Sequence, residues 1–196
     1  MAQYASILFS MILVNNFVLV KFLGICPFLG VSKKFDSAVG MGAAVTLVMI
    51  LAIAVTWPIQ QLLNAQGLEY LQTIVFILVI ATLVQLLEMV IKRFIPALYE
   101  ALGVFLPLIT TNCSVLGVAI LVVDEGYDYP QALVAGLGAG LGFLLAMVLF
   151  SGVRSRLEEA EPPEVFRGTP ITLIAAAITA MSFMGFSGVI DHLFGA

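Results

Sequence analysis

The chain has 196 residues, of which 62% are hydrophobic and only 10% are charged, and its formal net charge at pH 7 is −4. Soluble domains carry about 25% charged residues, so this composition excludes a water-soluble globular fold and predicts a protein solvated by lipid. It also excludes a nucleic-acid-binding protein, because the sequence has no basic patch. The length predicts a single membrane domain over residues 1–196.

Six apolar runs follow one another along the chain, and each could cross the roughly 30 Å hydrocarbon core of a bilayer as a helix. An alternating barrel pattern is absent, so we predict an all-α integral membrane protein. The first run lacks a positive leader and a cleavage pattern, and we expect it to be a permanent span rather than a signal peptide. The predicted spans are Tyr4–Val31, Val39–Leu63, Tyr70–Ile91, Pro96–Val123, Pro130–Val153 and Thr169–Leu193.

Spans 1 and 4 are the longest, and both contain helix-breaking residues. Each covers 28 residues, or about 42 Å as one straight helix. Inside a membrane, unwound backbone is tolerated only where it is buried against protein or lines a site. We therefore predict that both spans are discontinuous and that each presents one cysteine, Cys26 or Cys113, from a non-helical segment. The breakers are Gly24, Pro27 and Gly30 in span 1, and Pro107, Thr110, Thr111 and Asn112 in span 4.

The two cysteine segments are also copies of one pattern. Cys26–Val31 and Cys113–Val118 both read Cys-x-x-Leu-Gly-Val, and Val39–Ala43 resembles Ala135–Ala139 further along. A repeat unit with three spans must insert its second copy upside down. We predict two inverted three-helix repeats, about residues 1–93 and 94–196, with a functional site near the midplane where they meet.

Orientation follows from the basic residues. The connections after spans 1, 3 and 5 hold seven of the eight lysines and arginines, and the eighth lies inside span 1. Because basic connections face the cytoplasm, we expect both termini on the external, periplasmic side. The seven residues are Lys33, Lys34, Lys92, Arg93, Arg154, Arg156 and Arg167.

Three interpretations of Cys26 and Cys113 can be distinguished. Free cysteines are commonly small apolar core residues. A disulfide within the hydrocarbon is not expected, since oxidising machinery does not reach it. Thiolate ligation of an iron–sulfur cluster normally takes four cysteines, so two here would require a partner. Their recurrence at equivalent positions of both repeats favours ligation.

Other polar residues inside the spans allow a structural and a functional interpretation. Lys21 could extend to the membrane surface or belong to a conduction path. Glu88 could pair with Lys92 one helical turn later or bind an ion. Asn15 and Asn16 are expected to form hydrogen bonds across helices, either for packing or for function. A glycine series with Gly-x-x-x-Gly spacing predicts close helix contact: Gly136, Gly138, Gly140 and Gly142.

Three segments resemble one known family. Val14–Lys34, Gly103–Cys113 and Phe183–Gly188 are similar to the A-subunit family of Rnf complexes, and the likeness runs over nearly the whole chain. The related E subunit of the sodium-pumping NADH:quinone oxidoreductase shares both cysteine motifs. In that relative, however, the first span usually has an acidic residue near the position of Asn15 and lacks a lysine like Lys21.

The resemblance implies a function, a cofactor and partners. It implies one component, not a stand-alone enzyme, of a bacterial inner-membrane complex that passes electrons between ferredoxin and NAD while moving sodium or protons. It implies pairing with a homologous E subunit in the opposite orientation, together with the B, C, D and G subunits and membrane lipid. Each member of the pair would supply two cysteines to one [2Fe–2S] cluster. Cys26 and Cys113 would be the ligands from this chain.

Around those ligands we predict a cluster environment of Gly24, Pro27, Thr111 and Asn112. The predicted candidates for an ion path are Asn15, Asn16, Lys21 and Glu88. Two other functions stay open at this point: the equivalent subunit of a sodium-pumping NADH:quinone oxidoreductase, and a transporter or scaffold with structural cysteines.

Overall fold

The structure, a computed structural model, describes residues 2–32, 34–94, 106–160 and 163–186. Every regular element within these ranges is helical, which confirms the all-α prediction for this part of the chain. A π-helical turn, Ser10–Val14, continues the first helix, and 3-10 turns at Glu69–Leu71 and Glu164–Phe166 precede the fourth and the eighth. The α-helices are α1 Ala2–Phe9, α2 Ile25–Val31, α3 Phe35–Gln66, α4 Gln72–Phe94, α5 Leu106–Thr110, α6 Cys113–Asp124, α7 Tyr129–Glu159 and α8 Thr169–Met184.

The apolar helices correspond to the predicted apolar runs. Within the described residues, three helical segments are long and apolar enough to cross a membrane: Phe35–Gln66, Glu69–Val90 and Tyr129–Leu157. Three further apolar helices are shorter: Gln3–Val14, Leu108–Asp124 and Thr169–Met184. The beginning of predicted span 4 and the end of predicted span 6 lie outside the described residues.

Three helices extend by several residues beyond the predicted spans: α3, α4 and α7. The span predicted as Tyr70–Ile91 continues as α4 to Phe94. The prediction for α3 was Val39–Leu63, but the polar residues Asn64–Gln66 continue the helix, because they are compatible with helical geometry. The helix ends only where Gly67 adopts φ 68°, the left-handed conformation that favours glycine. Similarly, α7 begins with a capping box at Asp128 and continues beyond Val153 to Glu159, through part of the predicted connection.

Helical structure is interrupted at two places in the described chain. Helical structure stops at Val14 and resumes at Ile25, with residues 15–24 forming turns between them. The second interruption is shorter, since α5 ends at Thr110 and α6 begins at Cys113. Both interruptions lie just before a cysteine, but the cysteines themselves are helical: Cys26 is the second residue of α2, and Cys113 is the first residue of α6. The prediction that each cysteine lies in a non-helical segment was therefore wrong, because proline is tolerated in the first turn of a helix and Asn112 caps the start of α6.

The centre of the bundle is the pair α3 and α7, packed closely through glycines of α7. A Cβ on Gly140 would lie 2.7 Å from the Cα of Thr46, so no larger residue fits against α3 there. On another face of α7, a Cβ on Gly138 would lie 3.0 Å from the Cβ of Met11, next to α1. The prediction of close helix contact is therefore confirmed, with alternate glycines facing two different helices.

The connections group at two ends of the bundle. At one end, Arg154 near the end of α7 donates hydrogen bonds to the segment that closes α2, at Leu29 and Ser32. At the other end, Trp57 in the C-terminal half of α3 donates to the carbonyl of Tyr127, in the connection between α6 and α7. The connections that follow α2 and α7 thus share one end, in agreement with the alternation inferred from the basic residues.

Candidate functional site

Asn16 shapes the non-helical segment 15–24 from a completely buried position. Its Oδ1 accepts hydrogen bonds from the backbone N–H of Val18 at 3.1 Å and of Leu19 at 3.2 Å. Its Nδ2 donates to the carbonyls of Ile12 at 3.1 Å and Gly142 at 2.9 Å. These four bonds use the full hydrogen-bonding capacity of the amide. The side chain therefore fixes the segment to α7, which is the packing role that the sequence left open.

The end of this segment turns sharply before α2. Phe22 has φ 56° and Gly24 has φ 80°, and the N–H of Leu23 donates to the carbonyl of Phe17 at 2.7 Å. A left-handed conformation is unfavourable for residues with a Cβ, so glycine suits the second position. Cys26 follows as the second residue of α2.

Gly24 touches the other interruption directly. A Cβ added to it would lie 3.0 Å from Oδ1 of Asn112 and 2.9 Å from Cε2 of Phe143, and it would overlap Oγ of Ser114. Asn112 and Ser114 are the two neighbours of Cys113 in the chain. The close approach of Gly24 therefore brings the two cysteine-bearing turns together.

Both cysteines are exposed free thiols in the chain as described. They are therefore not buried core residues in the described chain, and their role as cluster ligands stays a prediction. Of the other residues predicted around them, Pro27 is buried and Thr111 is exposed. Among the described residues, no group of three or more His, Cys, Asp or Glu side chains could hold a metal ion. A four-thiolate shell here would need ligands from another chain.

Asn112 forms the N-cap of α6 and leaves its amide nitrogen without a hydrogen-bond partner among the described residues. Its Oδ1 accepts from the backbone N–H of Ser114 at 3.0 Å and from the Ser114 hydroxyl at 2.5 Å. Its Nδ2 is buried and has no hydrogen-bond partner within the described chain. An unpaired buried donor costs about 1–3 kcal/mol, so this amide is suited to an acceptor beside Cys113. The sequence interpretation missed Ser114; its position directly after the cysteine was the only available signal.

Two residues of α7 hold α2 in place, and the sequence interpretation missed both. The ring of Phe150 stacks on Phe28 with centroids 4.2 Å apart. One turn later, Nη1 of Arg154 donates to the carbonyl of Leu29 at 2.5 Å and to Oγ of the buried Ser32 at 3.0 Å. The last carbonyls of a helix have no partner within that helix, and an arginine side chain placed beside them can donate the missing hydrogen bonds. The sequence had presented Arg154 only as a positive charge in a connection.

Replacing Arg154 with leucine is expected to loosen α2. Hydrogen bonds from a charged donor contribute about 1.5–3 kcal/mol, and a helix of 7 residues is not stable without tertiary contacts. We expect amide exchange over residues 25–31 to accelerate roughly 10- to 100-fold, measured by hydrogen–deuterium exchange mass spectrometry. Arg156→Leu is the matched control, because the Arg156 ion pair with Glu159 is exposed. Equal protection of α2 in both variants would contradict the assignment.

The residues predicted for an ion path lie in different surroundings. Lys21 is exposed, and Glu88 is half-buried on α4. Asn15 is half-buried, and its Nδ2 donates to Oγ of Ser10 at 3.3 Å. Asn16 has the packing role described above. A path through these four residues stays a prediction.

Comparison with known proteins identifies relatives over nearly the full length. Residues 4–190 match the family described as Rnf-Nqr subunit, membrane protein. A protein of Syntrophotalea carbinolica, named as the A subunit of an ion-translocating oxidoreductase complex, is 57% identical over 185 residues, which is 94% of this chain and 96% of that protein.

Two more relatives have similar names. One from Acetobacterium woodii, named as the A subunit of a Na(+)-translocating ferredoxin:NAD(+) oxidoreductase complex, is 57% identical over 184 residues, covering 93% of this chain and 96% of its own. Another from Serratia proteamaculans, named as the A subunit of an ion-translocating oxidoreductase complex, is 54% identical over 191 residues, covering 97% and 99%. With a family match over residues 4–190 and relatives above half identity across almost the whole sequence, the chain belongs to the Rnf-Nqr family of membrane protein subunits.

Proposed function

We propose that this chain is the electron-carrying membrane subunit of an ion-translocating ferredoxin:NAD oxidoreductase, and that Cys26 and Cys113 supply half the ligands of a [2Fe–2S] cluster. The other two thiolates would come from a homologous E subunit in the opposite orientation, within a complex that also contains the B, C, D and G subunits. The observation that carries the proposal is the contact of Gly24 with both neighbours of Cys113. It places the turn that precedes Cys26 against the residues on either side of Cys113, and both thiols are exposed.

The residues present fit such a cluster. A [2Fe–2S] centre takes four cysteine thiolates, and two free thiols on adjoining turns are half of that set. Hydrogen bonds to cluster sulfur tune the reduction potential, and the unpaired Nδ2 of Asn112 is a donor next to Cys113. When bound, the cluster supplies one-electron transfer. The chain's own residues would hold two of the four sulfurs, and the amide of Asn112 would offer a hydrogen-bond donor beside Cys113.

The topology that suits this role has six spans arranged as two inverted repeats. Under this proposal, α1 and α2 form one interrupted span and α5 and α6 form another, so each cysteine follows a break inside the membrane. The apolar composition and the two observed interruptions support it. A centre near the midplane divides the roughly 30 Å of hydrocarbon into two shorter electron transfers. The protein would lie in the bacterial inner membrane with both termini on the external side.

Iron analysis of the purified pair of homologous subunits tests the proposal. We expect two iron atoms per pair, as the formula of one [2Fe–2S] cluster requires, and a spin-resonance signal that develops on reduction with dithionite. The same pair purified after removal of iron by a chelator should lose the signal and recover it on reconstitution. A pair that retains electron transfer while containing no iron would refute the cluster.

A further inference from the structure

A polar cavity lies at the end of the bundle where Trp57 meets the connection between α6 and α7. Its volume is about 160 Å³, enough to admit water or a hydrated ion. It is separate from the cysteine turns, and the proposed electron transfer makes no use of it. The polar and aromatic residues lining it are Trp57, Gln60, Gln61, Asn64, Tyr127 and Asp128.

Gln60 lines this cavity and carries an unpaired oxygen. The residue is only 5% exposed, and its Nε2 donates to Oδ1 of Asn64 at 2.8 Å. Its Oε1 is buried and has no hydrogen-bond partner within the described residues. A buried carbonyl oxygen without a partner costs about 1–3 kcal/mol. A cation coordinated by this oxygen would remove that cost.

The other lining groups are oxygen-rich and carry little charge. Among the described residues that line the cavity, Asp128 is the single carboxylate and none is basic. The carbonyl of Tyr127 faces Trp57, whose Nε1 donates to it at 3.0 Å, and a carbonyl has a second lone pair to offer. Burial, together with the nearby negative charge of Glu125, raises the pKa of Tyr127. Its phenol therefore stays neutral at ordinary pH and adds no second negative charge.

We propose that this cavity binds a monovalent cation through oxygen ligands, with Gln60 Oε1 as the buried ligand and Asp128 as the counter-charge. One carboxylate with neutral amide and carbonyl oxygens balances a single positive charge. Divalent cations instead favour several carboxylates or retain most of their water. Binding here is independent of the cluster. A further role, in which the cavity holds an ion that the complex transports, rests on the proposed function.

Trp57 is the only tryptophan of the chain, so its fluorescence reports on this cavity. We expect the full-length chain in detergent, without other subunits, to show a saturable change when sodium chloride replaces choline chloride at constant ionic strength. Gln60→Leu should raise the sodium midpoint at least roughly tenfold, which corresponds to about 1.4 kcal/mol. Gln60→Glu should lower the midpoint, since it adds a negative ligand. Gln85→Leu, at an exposed glutamine of α4, is the matched control and should titrate like the unmodified chain.

Two results would overturn the site. One is a wild-type response to sodium no different from that to choline. The other is a midpoint that Gln60→Glu leaves unchanged, a result that remains decisive even if Gln60→Leu fails to fold. Since the titration uses iron-free chain, its outcome is separate from that of the iron analysis, and either proposal can fail while the other stands.

Discussion

Replacing Cys26 with serine is expected to abolish the spin-resonance signal of the complex and its ferredoxin-dependent reduction of NAD, and Cys113→Ser is expected to do the same. Both rest on the proposed function. Changes to groups that only hydrogen-bond to metal ligands already lower metal affinity or activity about 10- to 100-fold, so loss of a ligand should exceed that range. Because both thiols are exposed, the stability of the isolated chain should change by no more than about 0.5 kcal/mol.

The measurement is made on the purified complex, with spectra and turnover recorded on the same samples. Ala43→Ser is the matched control, because it adds a hydroxyl at an exposed position of α3 outside the cysteine turns. It should keep both signal and turnover. A full signal in either cysteine variant, with serine verified by mass spectrometry, would rule out that residue as a ligand.

Replacing Gly24 with alanine is expected to lower the stability of the chain strongly. Among additions of one methyl group near the cysteines, we expect this one to have the largest effect. At φ 80° a Cβ is unfavourable by about 1–2 kcal/mol. The new methyl would also overlap Oγ of Ser114 and crowd Phe143 and Asn112, and overpacking adds roughly 1–3 kcal/mol. Together these predict a fall in melting temperature of roughly 5–15 °C for a chain of this size, measured in detergent.

Gly67→Ala separates the two contributions. Gly67 has nearly the same backbone conformation, φ 68°, but a Cβ there meets nothing within 4 Å. It should show only the backbone part of the effect. Because Gly24 is where the cysteine turns touch, Gly24→Ala should also weaken the cluster signal of the assembled pair, and Gly67→Ala should not. Equal melting temperatures for the two variants would show that the contact between the turns contributes nothing.

The cysteine segments illustrate what pattern and composition can predict. Cys26 and Cys113 stood out because the same six-residue pattern begins at both. Each also lies beside helix-breaking residues, whose effect on the backbone is local. The breakers act on their own backbone, so an interruption near each cysteine could be expected from neighbouring residues alone. The same holds for the glycines of α7, since their spacing places them on helix faces whatever the partner is.

The partners of these residues were beyond sequence reasoning. Nothing near Gly24 in the chain indicates that it meets Asn112 and Ser114, and nothing near Asn16 indicates that its amide bonds to Gly142. Arg154 looked like one of several basic residues in a connection, yet its guanidinium closes α2. Gln60 lies inside the predicted span Val39–Leu63 and was not singled out there, although it is buried with an unpaired oxygen. Each of these depends on contact between distant segments.

The sequence by itself determined the apolar helical character of the chain, its family and the two cysteines of interest, because hydropathy, helix breaking and short motifs depend on adjacent residues. Only the tertiary structure decided that Gly24 packs against the neighbours of Cys113, that α7 holds α2 in place, and that a polar cavity is lined by Gln60 and Tyr127. Those features follow from side-chain shapes meeting across the bundle, and the free energy of such contacts depends on which helices pack together.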